Sequence, residues 1–345
     1  MKLYSIFLIA VVVPTISLHV FSQEVRPIRD DVGYCWTNKQ MDKFVNYLEQ
    51  NEKEKYQLRT FVAGISPHDD YLYAGRVYYP LYKNLKVKEV VIFGVTHGTV
   101  RKEIGDPKNV LILDNYNEWR GLDKNIGISP LREFIKNNLD SNYFIVSNKA
   151  HELEHSIEAQ IPCLQYYNPK IKITPIMVTA MPFERMDSLS EKLSQTISAY
   201  IQKNKLAVGK DIVFIMSSDA NHYGKDFNNI PYGEDAAAHE KGIKRDLEVA
   251  KSCLEEQISV EKIKKFTEEM SSLVWCGKYS IPLGLLTVQK TIKNLSGDSI
   301  NGRILRYSDS YSEGVIPVHE ISLGTTAPFS LKHWVGFLSA VYSIK

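Results

Sequence analysis

Short runs of β-branched and aromatic residues recur along this chain, separated by helix-patterned sequence, and that alternation constrains the architecture more than any other feature. The runs lie at residues 61–65, 90–95, 110–113, 171–178 and 212–216. Stretches with apolar residues three or four apart lie at 39–53, 75–85, 131–138, 155–167 and 186–203. Parallel strands must be joined by long crossovers, and helices that make those crossovers cover both faces of the sheet. The pattern therefore predicts a three-layer α/β sandwich with a mainly parallel or mixed central sheet. Residues 235–266 read as one or two helices and 282–295 as another; 301–307 and 315–323 read as late strands, an antiparallel addition. No repeat, low-complexity segment or linker breaks the pattern, so residues 23–345 are expected to form one domain.

Residues 1–22 stand apart from that domain. Lys2, an apolar stretch over 4–21, and small residues at Val20 and Ser22 predict a signal peptide cleaved near Ser22, hence an exported protein, periplasmic or secreted. An N-terminal membrane anchor is the alternative, although Pro14 and His19 interrupt the stretch; no later segment reads as membrane-spanning. Lys and Arg total 42 against 40 Asp and Glu, without a basic run, which argues against a nucleic-acid partner. Four cysteines, Cys35, Cys163, Cys253 and Cys276, are too few for a disulfide scaffold in 345 residues. Export would permit one pair to oxidise, but spacing does not say which.

Three of the strand-like runs end alike. FVAGIS leads into Pro67-His68, VVIFGV into Thr96-His97, and IVFIMSS into Asp219-Ala220-Asn221-His222. Each histidine falls just past a strand's carboxyl end, the edge where ligands bind in open parallel sheets. A lone histidine is more often structural; three at equivalent positions point to a shared site. Cys276, in Trp275-Cys276-Gly277-Lys278 ahead of the 282–295 helix, joins them only through the pattern around it, since a single cysteine is more often a small buried hydrophobe.

The segments ISPHDDYLYAG (65–75), the strand ending in His97, EHSIEAQIPCLQ (154–165), SSDANHYG (217–224) and WCGK (275–278) occur in the order and spacing of the Memo family. VGYCW near residue 34, Trp119-Arg120 and the late RYSDS segment extend the resemblance over nearly all of residues 23–345. Bacterial members are known as AmmeMemoRadiSam system protein B, and the family resembles class III extradiol ring-cleaving dioxygenases in fold. The resemblance implies that His68, His97 and Cys276 hold one divalent transition metal, with Asp219 and His222 as the polar pair beside it. Two imidazoles and a thiolate leave coordination positions open on Fe(II) or Cu, the favoured ions, with Zn also compatible. The related dioxygenases carry a carboxylate as third ligand, so a thiolate here alters the chemistry. His222 is the expected general acid/base. Its plainer role would be a hydrogen bond to a capping Asp219.

Trp36, Tyr71, Tyr73 and Tyr223 are expected in the pocket wall, and Glu154, His155 and Glu158 behind the metal ligands, orienting them. Asp69-Asp70 stand where Memo sequences commonly have Ala-Gly, adding charge near the metal or serving as turn residues. Cys35 stands where the family usually has an aromatic residue. The expected function is thus a mononuclear redox enzyme acting on a small molecule. Its rival is a non-catalytic binder of a peptide or metabolite, because some Memo relatives are described as adaptors recognising phosphotyrosine-containing peptides. A third reading follows from His151-Glu152-Leu153-Glu154-His155, which satisfies the HExxH pattern of zinc metalloproteases.

Overall fold

A computed structural model of the chain describes residues 24–52, 60–83, 85–318 and 322–345. The expected signal peptide over 1–22 lies outside them. Four strands form the parallel centre: β1 (Ala63–Ser66), β2 (Glu89–Val95), β3 (Lys172–Val178) and β4 (Ile212–Ser217), in the spatial order β3-β2-β4-β1. Two long strands, β5 (Ile300–Asp309) and β6 (His333–Ile344), continue the sheet antiparallel, β6 pairing with β1 on one side and β5 on the other.

Burial along the strands shows why the sheet is sandwiched. Within β2, Val90 and Ile92 pack into one apolar core while Val91 and Phe93 pack into a second; within β4, Val213 and Ile215 divide from Ile212, Phe214 and Met216 in the same way. Side chains alternate across a strand, so apolar residues at every position require helices on both faces. The first core is closed by α1 (Asn38–Asn51) and α2 (Tyr71–Tyr82). The second is closed by α3 (Phe183–Lys203), α4 (Ala236–Leu254) and α5 (Ser280–Ser296). The three-layer α/β sandwich expected from the sequence is the fold observed.

Two local expectations need correction. Residues 315–318 form no strand; the late antiparallel partner of β5 is β6, further along. The helix expected over 155–167 is a 3-10 turn, Glu158–Gln160, followed by Ile161–Tyr167, which leaves His155 in an extended connection. Among the described residues no helix is long and apolar enough to cross a membrane. All four cysteines are unpaired.

Candidate metal centre

Topology brings the histidines together. β1 and β2 both flank β4, with Ser66 opposite Ser217 and Phe93 opposite Met216, so three adjacent parallel strands end nearly level. Strands lie about 4.8 Å apart, which confines the residues just past their ends to a patch roughly 10 Å across. Pro67 has no N–H to extend the ladder, and the chain turns out of the sheet there to present His68. Cys276 arrives from the opposite side, just before α5. Its approach depends on Gly277, whose N–H donates to Ser218 Oγ at 2.9 Å; a Cβ on Gly277 would lie 2.3 Å from the Ser218 side chain.

The imidazole centroids of His68 and His97 are 5.1 Å apart, and that of His155 lies 5.5 Å from His68 and stacks on His97 at 4.8 Å. Two overlapping donor groups result, each with atoms within 4.8 Å of one another: His68, His97 and His155, and His68, Asp219 and Cys276. His155, expected only to orient other ligands, is therefore within ligating reach. Its sequence neighbours do not signal this, because only the break in the helix turns its ring toward His97.

Hydrogen-bond accounting assigns the imidazole tautomers. Ser217 Oγ donates to the Ser156 carbonyl at 2.7 Å, so at 2.9 Å from His68 Nδ1 it accepts, and the proton sits on Nδ1. His68 Nε2 is then a bare lone pair, buried without a hydrogen-bond partner. His97 Nδ1 lies 2.8 Å from Glu154 Oε1 and donates to it; against the effect of burial, Glu154 and Cys276 hold the metal-free imidazole well above its ordinary value, so its Nε2 becomes a second lone pair only when an ion displaces that proton. An orphaned, inward lone pair beside a thiolate and further imidazoles is what a transition metal requires of its ligands. The donors present fit one ion.

Charge supports the same arrangement. Burial alone would raise the Cys276 thiol, but the charge and hydrogen bonding of His222, with His97 beside it, hold it well below its ordinary value, as thiolate. His222 Nε2 is 3.4 Å from Cys276 Sγ, and that thiolate outweighs burial to raise the imidazole to about 9. Burial and the neighbouring His97 charge depress His155 to about 3, which keeps it neutral. For Glu154, burial is overcome by the charge and hydrogen bonds of His97, and the carboxylate lies well below its usual range. Asp219 accepts from the His68 backbone N–H at 2.9 Å, with Oδ2 3.4 Å from His68 Nε2; burial raises it.

The remaining expected residues are placed as follows. Glu158 is buried against the Arg26 guanidinium and accepts from the backbone of Arg29 and Asp30, so it anchors the N-terminal segment and touches no metal donor. Asp70 accepts from Thr326, through its N–H at 2.6 Å, and binds a loop, whereas Asp69 is raised by burial and by Asp219, which it faces. The pocket-wall expectation fails for four aromatics. Tyr71 is buried in the core and donates to the Ala159 carbonyl; Tyr73 donates to Ala327; Tyr223 stacks on Trp334; Trp36 donates to the Asp30 carbonyl. None lines the cavity of about 650 Å³ above the cluster, which His97, His155, His222 and Cys276 reach. Nor does HExxH form. The helix Asn148–Leu153 ends before His155, and His151 points to the Ile112 carbonyl at 3.0 Å, packed on Trp119.

A family model described as Memo-like protein matches residues 34–317. The chain belongs to the Memo family. A MEMO1 family protein of Sulfurisphaera tokodaii is 33% identical over 193 residues, 53% of this chain and 56% of that relative. A second, of Pyrococcus horikoshii, is 29% identical over 184 residues, covering 50% of this chain and 57% of its own length. The chain thus spans little more than half the length of these two relatives. A MEMO1 family protein of Pyrococcus furiosus matches further, 25% identical over 271 residues, 75% of this chain and 83% of the relative.

Proposed function

We propose that this Memo-family chain is a mononuclear non-heme metal oxidoreductase that acts on a small molecule. The observation that carries the reading is the pair of overlapping donor groups, His68 with His97 and His155 and His68 with Asp219 and the Cys276 thiolate, beneath an open cavity. His68, His97 and Cys276 would hold the ion, with His155 and Asp219 in reach as further ligands. Bound Fe(II) or Cu would supply electron transfer and an electrophilic centre with coordination positions left for a ligand. His222 holds a proton on Nε2 toward the sulfur, positioned to deliver it to a group entering the cavity. Asp219 fixes the His68 backbone and, by its charge, favours the imidazolium of His222. The apolar stretch over residues 4–21, typical of export signals, supports action outside the cytosol.

Anaerobic purification with elemental analysis, followed by oxygen-uptake assays, tests the reading. Wild type is expected to carry roughly one iron or copper ion per chain, and Cys276→Ala to lose it. Absence of both metals from wild type, or full occupancy in Cys276→Ala, would overturn it.

A further inference from the structure

Cations outnumber carboxylates along the wall of the cavity over the cluster. Arg29, Arg101, Lys102 and Lys278 line it against one carboxylate, Asp226, which lies 3.3 Å from His333 Nδ1. Arg29 turns its Nε to the Leu153 carbonyl at 3.3 Å, and the Lys278 ammonium sits 5.2 Å from the Tyr279 ring centroid. Among the described residues neither these two nor Lys102 has a carboxylate within 4.0 Å.

Arg101 is the half-buried member of the four, and its Nε–H is buried without an acceptor. The nearest carboxylate oxygen, on Asp106, is 3.9 Å from that Nε, beyond hydrogen-bond reach. The guanidinium folds back along the chain: its Nη2 is 3.6 Å from the Cβ position of Gly98, the residue after His97. A buried donor without a partner is costly, and a ligand oxygen would relieve that cost. The planar fork of arginine matches the paired oxygens of a carboxylate or phosphate. Around it the wall is apolar, with Val100, Leu153, Phe227 and Val274, and the volume of about 650 Å³ suits a small organic ligand.

We propose that this cavity takes a small molecule with an apolar body and a single anionic head group, and that Arg101 holds the head group and sets specificity. The proposal rests on the reading of the cluster as a reaction site and names the substrate class for it. Arg29, Lys102 and Lys278 contribute long-range attraction at the mouth. Arg101 supplies the directed contact.

Calorimetric titration of metal-loaded protein with benzoate, phenyl phosphate and benzamide tests this, because the three share a ring and differ in head group. At least one anion is expected to bind about tenfold more tightly than benzamide, a margin ordinary for a charge-assisted contact. The stronger anion shows whether the head group is a carboxylate or a phosphate. Arg101→Gln should bring the anions to the affinity of benzamide, and Arg101→Lys should keep part of the preference, with metal stoichiometry the same in all three proteins. Benzamide binding as tightly as both anions in wild type would overturn the proposal. So would an anion preference that survives Arg101→Gln, or an equal loss of anion and amide affinity. Metal content and oxygen uptake are read separately. Their failure would remove the redox reading without touching the anion preference, and the reverse holds as well.

Discussion

Glu154 decides how His97 presents its ring. Its two oxygens accept four N–H groups, from the His97 backbone, His97 Nδ1, and the backbones of His155 and Ser156. An amide in its place would offer one acceptor and set N–H against N–H, so Glu154→Gln frees the His97 ring and weakens its basicity. Metal affinity, measured by competition with a chelator, should fall roughly 10–100-fold, the usual effect of losing a carboxylate behind a metal-bound imidazole. An unchanged affinity would mean that His97 is not a ligand. The EHSIE segment marked Glu154 as a residue that orients its neighbours, and it does bond the His97 ring and backbone. What the sequence could not show is that His155, next to it, turns toward the ligands, since that depends on where one helix ends.

Between elements, one buried side chain ties the two loops of the site to α4. Asp246 Oδ1 accepts from Trp275 Nε1 at 2.9 Å, and Oδ2 accepts from Tyr307 Oη at 2.7 Å and the Asn221 N–H at 3.3 Å. Trp275 and Asn221 are the neighbours of Cys276 and His222, so this carboxyl holds the two loops in register. Burial raises it to about 7, with Tyr307, Trp275 and Asn221 pulling it down by hydrogen bonding and His222 by charge. An unfolded aspartate titrates near ~3.9. The folded state therefore holds its proton more tightly: the stabilising contribution is fully present below about 4 and is lost as pH rises through about 7. Asp246→Asn keeps the shape and abolishes the titration. In denaturant unfolding from pH 5 to pH 9, the variant should gain on wild type by on the order of a few kcal/mol. Parallel curves would show that Asp246 does not titrate in that range. The central strands were legible because apolar runs bounded by turn residues suit a sheet covered on both faces. β6 was not, although Trp334, Phe337, Leu338 and Tyr342 in it are fully buried, because Gly336, Ser339 and Ser343 break its apolar run. Within it Gly336 must stay small, a Cβ there lying 2.7 Å from Tyr307 Oη and 2.9 Å from Asp246 Oδ2.

Across the whole molecule, the cluster joins parts of the chain that contact order makes slow to meet. His68 and Cys276 are separated by more than half the sequence, and the sheet that aligns them needs β4 inserted between β1 and β2. An ion held by residues from β1, β2 and the connection before α5 is a cross-link present only in the folded state. Ligand binding to the native state alone stabilises by mass action, about 2.7 kcal/mol when free metal is a hundredfold above its Kd. Chelation should therefore lower the Tm of wild type by a few degrees, about 1–2 °C per kcal/mol for a chain of this size. Re-addition of Fe(II) should restore it, and Cys276→Ala should lie near the chelated value with or without metal. The anion site makes a different demand, for Arg101 sits on the exposed segment after β2 and ties no distant elements together. Arg101→Gln should thus keep the full metal-dependent rise in Tm while losing the anion preference. A wild-type Tm indifferent to chelation would mean that the strand ends bind no ion tightly enough to matter to the fold.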